Sequence, residues 1–477
     1  MACCGNFLPV TTRRRMLQDL ACGFGSLALA GVMNEQSAAA SVLAAKASHI
    51  APRAKRVIFL FMAGGVSHVD SFDYKPTLDR EDGKMREFDD ARSLAKRGKG
   101  TEARVMKSLW KFRQRGESGK WTSDLFPEMA GCVDDLCFLH GMHTEGVAHG
   151  PATLFLHTGS TNLIRPSMGS WISYGLGTEN ENLPAFVVLS PAAANGGPRN
   201  YGCAFLPAVH QGTAIGRAGL PAKDSQIRYL LNGERSPQAQ QAQFDLVQSL
   251  NREQLKTHPG DSDLDAVIDS YELAFRMQHH APSVLDLSRE SRATLDMYGV
   301  DQPVTDNYGR QCLMARRLAE GGVRFIQVTY SDNSNNPAWD QHSDMPKHAK
   351  HAAAVDKPIA ALLADLKQRG LLEDTLVWWG GEFGRNPFAQ DNGTGRDHNP
   401  NGFTVWLAGG GVKPGFSYGV TDEFGHLAID QKVHMHDLHA TMLHLLGLNH
   451  RELTFRYAGR NFRLTDVAGN VVRDIVA

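Results

Sequence analysis

Cysteine is scarce in this chain of 477 residues: seven in all, three of them within the first 22 positions. The remaining four, Cys132, Cys137, Cys203 and Cys312, form no Cys-x-x-Cys pair. That excludes a disulfide framework and a zinc site of that spacing, and leaves room for one bridge in an oxidising compartment. An excess of charge is also missing, since 50 Lys and Arg against 51 Asp and Glu leave a net charge of −1. Neither nucleic acid nor an anionic membrane would be attracted to such a surface. The apolar stretch Leu20 to Met33 falls short of the roughly 20 strongly apolar residues of a spanning helix, so no stable membrane anchor is expected. There is no Gly-x-Ser-x-Gly elbow, no Walker loop and no dinucleotide fingerprint at a strand–helix junction. Serine-hydrolase, NTPase and nicotinamide chemistry therefore have no support.

What the chain does have is histidine, 20 residues against ten tyrosines. Metal ligation is one explanation of that bias, and scattered surface imidazole is the other. The first 47 residues read as an export segment and linker. Thr12-Arg-Arg-Arg-Met-Leu-Gln18 resembles a twin-arginine signal, the apolar run follows, and small residues at Ala38–Ala40 and Ala45–Ala47 offer cleavage sites. The expected location is periplasmic or extracellular.

Beyond the linker, short apolar runs rich in β formers alternate with helical patterns. Arg56–Met62, Leu136–His143, Pro184–Leu189, Gly322–Tyr330, the run from Leu376 and Phe403–Leu407 are expected strands. Alternation without a repeat period predicts an α/β domain over 48–477, a doubly wound, mainly parallel sheet with helices on both faces. Residues from about 75 to 121 are charged and irregular, and about 216–305 read as a helical insertion.

In such a sheet ligands bind beyond the carboxyl ends of the strands, and polar residues gather there. Ser67, His68 and Asp70 follow the first strand after Gly64-Gly65. They are either metal and substrate ligands or the cap of a turn. His149 precedes a helix opened by Pro151, where the dipole favours an anion. Asp340-Gln-His342 places a hard and a borderline ligand within reach of one ion. Glu382 and Arg385 follow the run from Leu376, and Arg396 and His398 stand in the next loop.

These motifs make a recognisable set: Gly64-Gly-Val-Ser-His-Val-Asp-Ser-Phe-Asp73, His149-Gly-Pro-Ala152, Gly381-Glu-Phe-Gly-Arg385, Gly395-Arg-Asp-His-Asn-Pro400, Ala408-Gly-Gly-Gly-Val412 and Asp437-Leu-His-Ala-Thr441. From about residue 55 onward the chain resembles a domain-of-unknown-function family of secreted, sulfatase-like proteins within the alkaline phosphatase superfamily. The resemblance implies hydrolysis of phosphate or sulfate esters with one or two divalent ions and a nucleophile at a helix N-terminus. It makes His398 the late metal-binding histidine, with Asp340 and His342 as the preceding pair. The chain departs from the superfamily in three places. Ala63 or Gly64 stands where a metal-binding Asp is expected, leaving His68, Asp70 or Asp73 to substitute from a few residues later. Glu382-Phe383-Gly384 replaces Asp-His-Gly. His149-Gly-Pro-Ala-Thr153 replaces Cys-x-Pro-Ser-Arg, so no formylglycine can form and the standard sulfatase mechanism is excluded.

The expectation is a secreted metal-dependent hydrolase of small-molecule or polysaccharide esters. Zinc, calcium or manganese would be bound by His68, Asp70, Asp340, His342, Glu382 and His398, and metal-activated water would attack the ester. His149 is a ligand, a general acid or base, or a nucleophile. Arg385 is assigned to catalysis, and Arg396 and Ser67 to the substrate, with a bidentate guanidinium on an anion as the chemical reason for either arginine. The alternative is a degenerate member that binds metal or anionic carbohydrate without turnover.

Overall fold

The computed structural model describes residues 43–477 apart from 226, 228–229, 231–234, 259–261, 333 and 335. The twin-arginine stretch, the apolar run after it and Ala38–Ala40 lie outside the described residues. Nine strands form one sheet: β1 (Arg56–Met62), β2 (Leu136–His143), β3 (Phe186–Leu189), β4 (Thr213–Ile215), β5 (Phe325–Tyr330), β6 (Thr375–Gly380), β7 (Phe403–Ala408), β8 (Phe416–Tyr418) and β9 (Val433–His434). Their order is β8-β2-β7-β6-β1-β5-β3-β4, with β9 also on β2. Every residue of β1, β6 and β7 is buried, as continuous apolar runs require when helices cover both faces. Two buried clusters lie on opposite sides of the sheet; Ile58, Leu60 and Met62 belong to one, Val57, Phe59 and Phe61 to the other.

All pairings are parallel except those of β7, which runs antiparallel to β6 and to β2. That one reversal positions the site. The carboxyl ends of β1, β2, β5 and β6 meet at one edge, and the amino end of β7 arrives there with them. His398, just ahead of β7, is therefore carried to the same edge as residues that follow the other strands.

The charged stretch is more regular than expected. Met85–Phe88 pairs with Thr101–Arg104 across a connection that holds a short helix at Ala91–Arg97, and Phe112–Arg115 pairs with Lys120–Ser123. The long helices Pro237–Thr257 and Ser262–Leu285 lie in the expected helical segment. Among the described residues, no helix is long and apolar enough to cross a membrane.

Several histidines serve the core. His157, His210 and His439 are at most 5% exposed and pair with Thr153 O, Ser173 Oγ and Leu156 O. Burial pushes their pKa values down to about 4, 3 and 3. The unfolded chain protonates these rings near pH 6.5, so their stabilising contribution is full above that pH and is lost as pH falls towards the folded values. Each group gives a slope of about 1.4 kcal/mol per pH unit. Asp356 works the other way, because burial raises its carboxyl to about 7. Between pH 6 and 5 the four groups together lower stability by about 2 kcal/mol. Urea unfolding at pH 7, 6 and 5 checks this; a midpoint that does not move would show that these rings are protonated in the fold.

Candidate metal centre

The centre is built on Asp340. Its loop reaches the sheet edge because Trp339 N–H donates to Ala63 O at 3.1 Å, just beyond β1. Gly64 makes that approach possible: at φ +113° it is left-handed, and a Cβ there would stand 2.7 Å from Asp340 N. Three imidazole nitrogens converge on Asp340 Oδ1: His149 Nε2 at 3.1 Å, His342 Nε2 at 2.8 Å and His398 Nε2 at 3.2 Å. The four ligand atoms lie within 4.8 Å of one another.

The far side of each ring faces an oxygen. His149 Nδ1 lies 2.6 Å from Glu382 Oε1, His398 Nδ1 lies 2.8 Å from Val147 O, and His342 Nδ1 contacts Gln390 Oε1. An acceptor there holds a proton on Nδ1, so a ring in its neutral form turns a bare Nε2 lone pair towards the carboxylate. His149 Nε2 is buried with no partner other than Asp340. Lone pairs aimed at one anionic oxygen repel unless positive charge, a metal ion or a proton on Nε2, sits among them. Fixing the outer nitrogen in this way is how proteins orient metal-ligating histidines.

Without a metal ion the same contacts are made through protons on Nε2, which donate to the carboxylate. Burial alone would raise the Asp340 carboxyl, but the three imidazoles and Arg385 outweigh it and hold it well below the usual carboxylate range. Burial lowers His398 to about 4, with Arg385 and His149 adding to the effect, so this ring is neutral near pH 7. For His149 burial is outweighed by Asp340 and Glu382, and its pKa is raised. Two rings 4.4 Å apart thus differ in proton affinity.

Arg385 completes the group from beneath. Its Nη2 donates to Asp340 Oδ1 at 2.7 Å, to Trp339 O at 3.3 Å and to Gly64 O, its Nε to Gly65 O at 3.0 Å, and its Nη1 to Arg396 O at 3.1 Å. Arg385 and His398 are also paired across a short two-stranded ladder.

With this geometry in place, the family relationship has a structural setting. A family model described as "Protein of unknown function (DUF1501)" matches residues 54–476. The chain belongs to that family. No curated protein matches it. Among solved structures, this DUF1501 protein is similar to the lipoteichoic acid synthase LtaP from Listeria monocytogenes, with 9% identity, coverage of 88% of this chain and 78% of that one, and a TM-score of 0.36. It is also similar to the PsFucS1 sulfatase from Pseudoalteromonas sp., with 12% identity, coverage of 83% and 68%, and a TM-score of 0.34. For a TAB5 alkaline phosphatase the values are 11%, 83% and 99%, and 0.35.

In this DUF1501 member the expected site residues divide. Asp340, His342 and His398 come together, and His149 joins them. Glu382 is not among the converging ligand atoms; its oxygens accept the Gly64 N–H at 3.0 and 3.1 Å, and Oε1 also holds His149. His68 and Asp70 stand apart, in a 3-10 turn at His68–Asp70. His68 Nε2 pairs with Gly425 O at 2.7 Å, and Asp70 faces Arg396 at 2.7 Å. Ser67 donates to Asp70 at 2.5 Å. Arg396 is fully buried and gives its remaining donors to Asn386 O, Met106 O and Lys107 O. These four residues form a short turn and a buried ion pair, so the structure does not bring them to the ligand atoms that converge on Asp340. Arg385 is likewise fully buried, touching Asp340 and backbone carbonyls. Two further contacts of the DUF1501 centre are Gln390, which no motif marks, and Asp397, which stands inside the Gly395–Pro400 motif beside His398.

Proposed function

We propose that this protein is a metal-dependent hydrolase of sulfate or phosphate esters, exported by the twin-arginine route and acting on a small molecule or a polysaccharide. The observation that carries the reading is the convergence of three Nδ1-anchored imidazoles on the Asp340 carboxylate. Two imidazole nitrogens and one carboxylate oxygen, with a third imidazole beside them, suit zinc or manganese. Calcium, which takes six to eight oxygens, suits the set poorly. A divalent ion held there supplies a Lewis acid and acidifies water.

The chain's own residues have separable tasks. Asp340, His342 and His398 are the holding set, and three ligands leave a position open for substrate, as catalytic sites need. His149 moves a proton at Nε2, with Glu382 fixing its ring through Nδ1 and the Gly64 N–H steadying Glu382. Arg385 acts through Asp340, whose oxygen it pins, and touches no substrate.

A second reading, metal binding without turnover, is favoured by one feature: His149 stands at the helix start where a hydroxyl or thiol nucleophile is expected, and as a fourth ligand it would close a tetrahedral shell. The His149→Ala variant separates the two on a panel of aryl sulfates, phosphomonoesters and phosphodiesters with zinc or manganese added. A proton-carrying His149 predicts kcat lower by about 10²–10⁴-fold with the ion retained. Loss of the ion in the variant, with no turnover by the parent protein on any ester, would establish the binding reading instead.

A further inference from the structure

The charged insertion reaches the metal centre. From the short helix Ala91–Arg97, Arg92 Nη1 donates to both oxygens of Asp397 at 3.0 Å each. Asp397 Oδ1 in turn accepts the His398 backbone N–H at 2.8 Å and lies 3.5 Å from His342 Nδ1. One carboxylate oxygen therefore touches two of the ligand-bearing residues and Arg92. Around this pair the insertion and the 388–397 loop enclose a cleft of about 450 Å³, with Arg92, Gln390 and Asp397 in its wall. Gln390 and Asp397 are also the two residues behind His342 Nδ1. His342 is the most exposed ligand of the group, its side chain 28% accessible against 9% or less for the other three. The ring least held by packing is thus the one that depends most on polar support from the cleft wall.

We propose that Arg92 is a positioning residue of the metal centre, setting Asp397 so that His342 and His398 keep their ligating orientation. This rests on the metal-binding reading above. A carboxylate with one oxygen 3.5 Å from a ring nitrogen and 2.8 Å from a backbone nitrogen has its rotamer set by the guanidinium, which among the described residues is the partner that bonds both oxygens. Without Arg92, Asp397 turns towards the open cleft, and the His342 ring is left with Gln390 alone. Loss of such outer support weakens metal affinity by about 10–100-fold.

The test is calorimetric titration of the chelator-stripped full-length protein with zinc and, separately, manganese. Arg92→Gln is expected to raise the dissociation constant about tenfold. Arg86→Gln, which removes an exposed pair with Glu81 in the same insertion, is expected to leave it unchanged. Asp397→Asn should weaken binding to a similar extent, and the double variant no further, because both changes break one chain of contacts. A dissociation constant for Arg92→Gln within twofold of the parent, or an effect that adds in full to Asp397→Asn, overturns the proposal and leaves the metal centre standing. Equal weakening by Arg86→Gln overturns it too, because the insertion as a whole is then responsible. A parent protein that binds neither ion overturns the metal reading itself.

Discussion

Replacing Asp340 with Asn is expected to cost the protein its metal ion and a large part of its stability together. One oxygen of this carboxylate is the point on which His149, His342 and His398 converge, and among the described residues it is the negative charge paired with buried Arg385. An amide of the same shape removes the charge that makes the cluster a cation site. Affinity should fall by at least about 100-fold, beyond the loss that follows from disturbing an outer residue. The amide also leaves the Arg385 guanidinium buried against carbonyls with no counter-charge. Breaking a buried pair from one side costs about 3–5 kcal/mol, and that loss should appear in the metal-free protein. Urea unfolding without metal and ion titration of the same sample read the two effects separately. Stability within about 1 kcal/mol of the parent would show that Arg385 does not depend on Asp340; an unchanged dissociation constant would show that the ion is held elsewhere.

Arg396→Met is expected to be as destabilising, although the residue touches none of the converging ligand atoms. Its guanidinium and the Asp70 carboxylate are both fully buried at 2.7 Å. Arg396 also satisfies the carbonyls of Asn386, Met106 and Lys107, so one substitution orphans a charge and three acceptors. The remaining donors to Asp70, the Ser67 hydroxyl at 2.5 Å and the Leu109 N–H at 3.4 Å, cannot neutralise it. The expected loss is about 3–5 kcal/mol. Arg396→Met with Asp70→Asn should lose less than Arg396→Met alone, because the stranded charge is then gone. If the single variant instead loses less than about 1 kcal/mol, water reaches the pair and Arg396 is available to a substrate after all.

The contrast between Arg396 and His398 shows what could be read from residues alone. His398 was legible because it stands just ahead of an apolar run and matches a family motif, and the Asp340–His342 spacing is itself ligand-like. The strands were legible because buried parallel strands are continuous apolar runs. The direction of β7 was not, since a strand buried on both faces carries no mark of its orientation. The polar run Ser67 to Asp73 follows a strand and a glycine turn just as a ligand loop would. What turns Asp70 inward is Arg396, 326 positions away, and no local pattern predicts such a partner. Glu382 is an intermediate case. A carboxylate at a strand end suits a metal or a histidine equally, and the choice is made by the Gly64 N–H, brought in by a left-handed turn at the end of another strand. Arg92 lay in a stretch whose many charges hid both the hairpins and the one arginine that reaches the centre.

The account depends most on a cation among the three imidazoles and Asp340. Elemental analysis of the untagged protein, purified without chelator beside Asp340→Asn and His398→Ala, tests that directly. The predicted result is about one zinc or manganese ion per parent chain and a near-empty site in both variants. Less than roughly 0.2 ions per parent chain, or full occupancy retained in both variants, would contradict it.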